Sequence, residues 1–148
     1  MKRNERMRIV LLGLYLVSLI LFGLLKFDGT FDIVIRTHKS MISNDGVNIN
    51  MIPFRTIRTY WDIKGTVFIE NIIGNLVMFL PLGFFLERIF KKNRVKTVGL
   101  CFLGVLLFEV SQFVLRIGYF DVDDIILNIS GCVIGILISI IKIKKEGK

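Results

Sequence analysis

Four apolar windows, Ile9–Leu25, Val67–Phe90, Val95–Leu115 and Val122–Ile141, constrain this chain more than any motif in it. Each is near the roughly 20 residues that a helix needs to cross about 30 Å of hydrocarbon. The first, IVLLGLYLVSLILFGLL, carries no charge at all. Such windows use up so much of the 148 residues that 53% of the chain is hydrophobic, well outside the habit of soluble domains. The expected fold is an all-α integral membrane protein, one domain over 1–148 with four transmembrane helices. A basic segment, KRNERMR, precedes the first window as it would in a signal peptide. The following LFGLLKFDG offers no small-x-small cleavage site, so the window is expected to remain as an anchor.

The net charge of +8 would suit a nucleic acid or a membrane surface, and its distribution decides between them. Lys2, Arg3, Arg6 and Arg8 precede the first window, and Lys142, Lys144, Lys145 and Lys148 follow the fourth. Arg88, Lys91, Lys92, Arg94 and Lys96 crowd the turn between the second and third. The turn after the third carries only Arg116. By the positive-inside rule both termini are expected in the cytoplasm, with a long external loop over 26–66. That loop's six basic residues are spread over about 40 positions and weigh less. No nucleic-acid motif accompanies the charge, and no nucleic-acid partner is expected.

Cys101 and Cys132 both fall inside predicted spans, and His38 stands alone in the external loop. Without ligand spacing among them, no metal site and no cofactor are expected. Within the loop, SNDG (Ser43–Gly46) reads as a turn, and Pro53 should bound a helix. Phe54, Ile57, Tyr60 and Trp61 then recur at helical spacing between Arg55 and Arg58. This pattern describes an amphipathic helix that rests on the bilayer or covers a site at the outer face.

Polar residues inside the windows fall into register. Asn71 and Asn75 share one face of the second, beside Glu70, with Gly74 open to a neighbouring backbone. Pro81 and Gly83 should kink the lower half, since Pro81 cannot donate to the carbonyl of Val77. In the third, Glu109, Gln112 and Arg116 fall on one face, and Glu109 lies about 10 Å below Arg116 along the axis. A Glu109–Arg116 pairing through Gln112 would make the carboxylate tolerable. In the fourth, Asp121, Asp124, Asn128, Gly131 and Gly135 form one stripe, while Asp123 points away. Asp121 or Asp123 is placed to cap that helix, and Gly131 and Gly135 form a GxxxG step for close packing. With the expected topology, all three helices carry their polar residues in the outer half. Their agreement in depth predicts a polar pocket opening to the outer leaflet.

Read in order, these elements resemble the VanZ-like family over nearly the whole chain. The resemblance rests on LYLVSLILFGLLKF and on the N-x-x-P-F element, Asn50, Pro53 and Phe54. It continues through Asn75, Phe79, Pro81 and Gly83, then Phe108, Glu109, Gln112 and Phe113. It ends in D-x-x-D-x-x-x-N-x-x-G-x-x-x-G, here Asp121, Asp124, Asn128, Gly131 and Gly135. Many members carry a basic residue shortly before the first Asp; this chain has Tyr119 there, with Arg116 one turn earlier. The resemblance implies a small multi-pass protein of the cell membrane that lowers susceptibility to lipoglycopeptide antibiotics, teicoplanin in particular. It supplies no catalytic residues.

Two functions follow from the residues. In the first, the outer pocket binds a membrane lipid, a lipid-linked cell-wall precursor or teicoplanin itself, without catalysis. Asn71, Asn75, Glu109, Gln112, Arg116, Asp121, Asp124 and Asn128 would supply its polar groups. In the alternative, Glu109, Asp121 and Asp124 perform chemistry on a lipid or polyprenyl-linked substrate. The alternative is the weaker reading, because no nucleophile and no basic cluster for a diphosphate accompany the acids. A transporter subunit is weaker still, with no inverted repeat and no nucleotide site.

Overall fold

Helices form where the apolar windows lie, because a backbone in hydrocarbon must satisfy its own hydrogen bonds. The computed structural model describes residues 3–24, 49–91, 93–115 and 120–146. Arg116, Tyr119, His38, the SNDG turn and the rest of loop residues 26–48 lie outside the described residues, as does any Glu109–Arg116 pairing. The elements are α1 (Arg3–Leu24), β1 (Ile49–Asn50), α2 (Arg55–Ile63), α3 (Gly65–Phe68), a π-helical turn (Ile69–Ile73), α4 (Gly74–Ile89), α5 (Arg94–Val114), β2 (Phe120–Asp121) and α6 (Val122–Glu146). Three stretches, Ile69–Ile89, Arg94–Val114 and Val122–Lys144, are helical and long and apolar enough to cross a membrane. The first window is helical as well as far as it is described, to Leu24 at the end of α1.

Two departures from the expected all-helical chain are local. β1 and β2 form a two-residue parallel pair, Ile49 opposite Phe120 and Asn50 opposite Asp121, which ties the loop to the start of α6. The second window is also interrupted by the π turn, just before Gly74. The inserted residue shifts the faces that precede it relative to α4, so Asn71 and Asn75 do not follow simple α-helical phase. Beyond it, α4 runs unbroken through Pro81 to Ile89.

α4 is the central helix. It packs on α1, α5 and, most extensively, α6. The buried centre joins Phe79, Leu82 and Leu86 of α4 to Cys101, Val105 and Phe108 of α5, Cys132 of α6 and Leu19 of α1. Phe79 and Phe108 meet edge to face at 5.3 Å. Tyr15 of α1 donates its hydroxyl to the carbonyl of Met78 at 2.7 Å. Away from this core, Val77, Leu107, Val114 and Ile141 are more than half exposed, an apolar exterior that suits lipid.

The α4–α6 contact is backbone against backbone. A Cβ on Gly131 would lie 2.2 Å from the Leu76 carbonyl oxygen, and one on Gly135 would lie 2.0 Å from that of Leu80. A Cβ on Gly83 would lie 2.0 Å from the carbonyl oxygen of Cys132. No side chain fits at any of these three positions without moving a helix. Gly74 does not serve this purpose. A Cβ there would meet only the Ile69 carbonyl at 3.8 Å, an ordinary contact at the end of the π turn.

Alanine at Gly131 or Gly135 is expected to lower stability by about 1–3 kcal/mol each, the usual cost of forcing extra volume into a packed contact. Alanine at Gly13 or Gly99, where nothing lies within 4 Å, should be neutral or stabilising by up to about 1 kcal/mol. Thermal unfolding of the purified variants in detergent micelles reads both outcomes.

Candidate functional site

The acid run at the start of α6 is divided among three tasks. Asp121 caps its own helix, its Oδ1 accepting from the Asp123 amide at 2.9 Å. It also accepts from the Thr56 hydroxyl at 2.6 Å and the Asn50 side-chain amide at 3.1 Å, joining the loop to α6. Asp123, which sequence spacing places away from the stripe, is fully buried and caps a different helix. Phe54 occupies the N-cap of α2 with a left-handed φ of 65° and no side-chain bond of its own. Asp123 takes over that role. Its oxygens accept from the amides of Phe54 at 2.5 Å, Thr56 at 2.7 Å and Ile57 at 3.1 Å. A carboxylate at a helix N-terminus answers both the orphan N–H groups and the positive end of the dipole. The strained backbone at Phe54 is held by these bonds.

Asp124 takes the third task and turns toward α4. Its Oδ1 accepts from the Asn75 side-chain amide at 2.8 Å. One turn further along α6, the Asn128 amide donates to Glu109 of α5 at 2.7 Å. Glu109 and Asn128 are each about 1% exposed. The side-chain oxygen of Asn128 is buried with no hydrogen-bond partner among the described residues. Two amide–carboxyl pairs thus connect α6 to both neighbours at one end of the bundle. Hydrogen bonds of this kind make buried carboxyl groups tolerable in hydrocarbon.

α2 lies over this acidic end. Thr56, Ile57 and Tyr60 turn partly inward, whereas Phe54 and Trp61 stay largely exposed, Trp61 set edge to face against Phe68 at 5.4 Å. Burial, then the neighbouring charges of Asp124 and Asp121, push the Tyr60 phenol above its ordinary value of 10.0. Tyr60 therefore offers a hydroxyl proton, and not a phenolate, beside the carboxylates.

Of the residues singled out from sequence, the structure brings Asn75, Asp124, Glu109 and Asn128 into two bonded pairs. Asp121 joins the loop anchor instead. Asn71 in the π turn and Gln112 on α5 are half-buried, and neither is without a partner. Sequence reading missed Asp123 and Thr56 as the residues that anchor the loop. The spacing of Asn50 and Thr56 around Pro53 was the available signal, but only the fold brings them to α6. It also missed the buried Glu87 and Arg88 at the opposite, basic end of α4.

A family model described as VanZ/LLP1 matches residues 12–143. "Protein VanZ" of Enterococcus faecium is 28% identical over 127 residues, which cover 85% of this chain and 69% of the relative. No solved structure matches the chain.

Replacing Asp123 with Ala should strip three amides of their acceptor and release α2 locally. Hydrogen exchange at Phe54, Thr56 and Ile57 is expected to quicken by roughly 10- to 100-fold, while the α4 core keeps its protection. Asp123→Asn, which keeps one carbonyl acceptor, should give a smaller effect in the same measurement.

Proposed function

The chain belongs to the VanZ/LLP1 family, and from that premise we propose that it lowers susceptibility to lipoglycopeptide antibiotics such as teicoplanin. It does so by holding a lipid, a cell-wall precursor or the antibiotic in a polar site at the acidic end of the bundle. One observation carries the reading: buried and half-buried carboxyl and amide groups from α4, α5 and α6 converge at one end, beneath α2. The unpartnered Asn128 oxygen is an acceptor for a donor on the bound molecule. Tyr60 and α2 border the site on the side away from the core. Glu109 and Asp124 are its acids, since Asp121 and Asp123 are already committed to the loop and helix caps.

In this reading α1 also crosses the membrane. The protein is then a four-span protein of the cell membrane with both termini in the cytoplasm and residues 26–66 outside. Its support is the charge pattern, with lysines and arginines concentrated at the end opposite the acids. The acidic site then faces the compartment in which glycopeptides act.

Topology is checked by cysteine labelling on intact cells. Arg58→Cys should react with an impermeant maleimide, and Lys91→Cys only after lysis. For function, Glu109→Gln, Asp124→Asn and Asn128→Ala should each reduce teicoplanin resistance to the level of cells lacking the protein, at unchanged membrane abundance. Retained resistance in all three would reduce the cluster to helix packing. A lipid product that vanishes from cell extracts with Glu109→Gln, detected by mass spectrometry, would replace binding by catalysis.

A further inference from the structure

The basic end of the bundle contains a groove of about 380 Å³ between α1, α4 and α6 that the proposed function does not use. Three cations from three helices line it: Arg8, Arg88 and Lys142. Arg8 donates to the Arg88 carbonyl oxygen at 3.4 Å, which fixes α1 beside the end of α4. Phe84 holds the other two heads. The Arg88 guanidinium carbon lies 5.7 Å from its ring centroid and the Lys142 nitrogen 6.0 Å. Arg88 is only 8% exposed, although it sits at the end of a membrane-length helix.

The lining of this groove holds three cations and no carboxylate, an excess of positive charge that an anion in the groove would meet. Glu5 lines a neighbouring groove that shares Arg8 and Arg88 but not Lys142, and it counters part of their charge. One helical turn toward the middle of the bundle, the lining of the first groove becomes apolar, with Leu11 about a turn from Arg8 and Phe84 a turn from Arg88. Cations at the rim and hydrocarbon beneath them match a phosphate headgroup with its acyl chains. They do not match a small soluble anion, which has no use for the apolar wall.

We propose that this groove is a binding site for one anionic phospholipid, with Arg8, Arg88 and Lys142 on the phosphate and Leu11 and Phe84 along the first carbons of the acyl chains. The inference requires only that the basic end meet a headgroup layer. It stands or falls separately from the acidic site.

Native mass spectrometry of the purified full chain in detergent tests it, with phosphatidylglycerol and phosphatidylcholine supplied at equal concentration. Wild type should retain one phosphatidylglycerol in preference to phosphatidylcholine. At about fivefold per basic residue, Arg8→Gln with Lys142→Gln should weaken that retention roughly 25-fold, and the exposed Lys142→Gln alone roughly fivefold. Arg55→Gln with Arg58→Gln, an equal loss of charge at the other end, should leave it unchanged. Equal retention of the two lipids, or equal loss in the Arg55/Arg58 variant, would overturn the site. Displacement by glycerol 3-phosphate at matched concentration would assign the groove to a free phosphate and refute the lipid.

Discussion

Inside a bilayer two apolar helices gain nothing by hiding from water, so their association rests on close packing and on the few polar bonds available. In this protein the closest packing is the contact of α4 with α6 at Gly83, Gly131 and Gly135. The two helices run in the same direction, with Leu76 against Gly131 and Leu80 against Gly135. Missing side chains there let the backbones touch, and the touch sets the register. Register in turn brings Asn75 to Asp124 and seats Cys132 under Phe79, whose carbonyl oxygen accepts from the Cys132 thiol at 3.5 Å. α5 then closes on the pair through Phe108 and Glu109. Without the glycine contact, the polar groups of the acidic end would have no common place to meet.

The same contact explains how three aspartates can crowd one helix end. Asp121, Asp123 and Asp124 stand at successive angles around the start of α6, so each faces a different neighbour. Asp121 serves its own helix and the loop, Asp123 serves α2, and Asp124 serves α4. Each carboxylate is stabilised by donors, and Asp123 also by the N-terminal field of α2. The run therefore acts as a junction that fastens the loop, α2 and the membrane helices to one another. Its acids do not act as one cluster.

Much of this was legible from hydropathy and spacing, because both are local properties. Window length located the helices, and helical periodicity put Asp124, Asn128, Gly131 and Gly135 on one stripe. What spacing could not show was which neighbour each residue of the stripe would meet. The stripe splits, with Asp124 bonded to α4, Asn128 to α5 and the glycines packed on α4. Asp123 escaped for the same reason. Its partners are amides about 70 positions away in the chain, at the N-terminus of a helix whose own N-cap residue, Phe54, has no capping side chain. The π turn left no pattern at all, and it is what gives Gly74 a different surrounding from the one expected of it. Hydropathy and charge counting mark Glu87 and Arg88 only as the polar end of the second window, yet both are buried.

The pairing of acids with amides also constrains how the acidic site can work. Glu109 accepts from Asn128 and Asp124 accepts from Asn75, and these bonds are part of what holds α6 against α5 and α4. A bound molecule whose donor takes the Glu109 oxygen that Asn128 uses competes with Asn128, and one that takes Oδ1 of Asp124 competes with Asn75. Occupancy is then linked to helix packing. A molecule that displaces an amide loosens a contact between helices, and one that adds to the free Asn128 oxygen leaves the contacts in place. The second route costs less, because an unsatisfied buried acceptor already carries a penalty that a new donor relieves. A molecule presenting a hydroxyl or amide N–H at that depth is favoured over one presenting only anionic oxygens, which two carboxyl groups would repel. In the proposed reading the acidic end would select donors, and the basic end, with Arg8, Arg88 and Lys142, would select anions, so that the two ends would sort their partners by opposite chemistry.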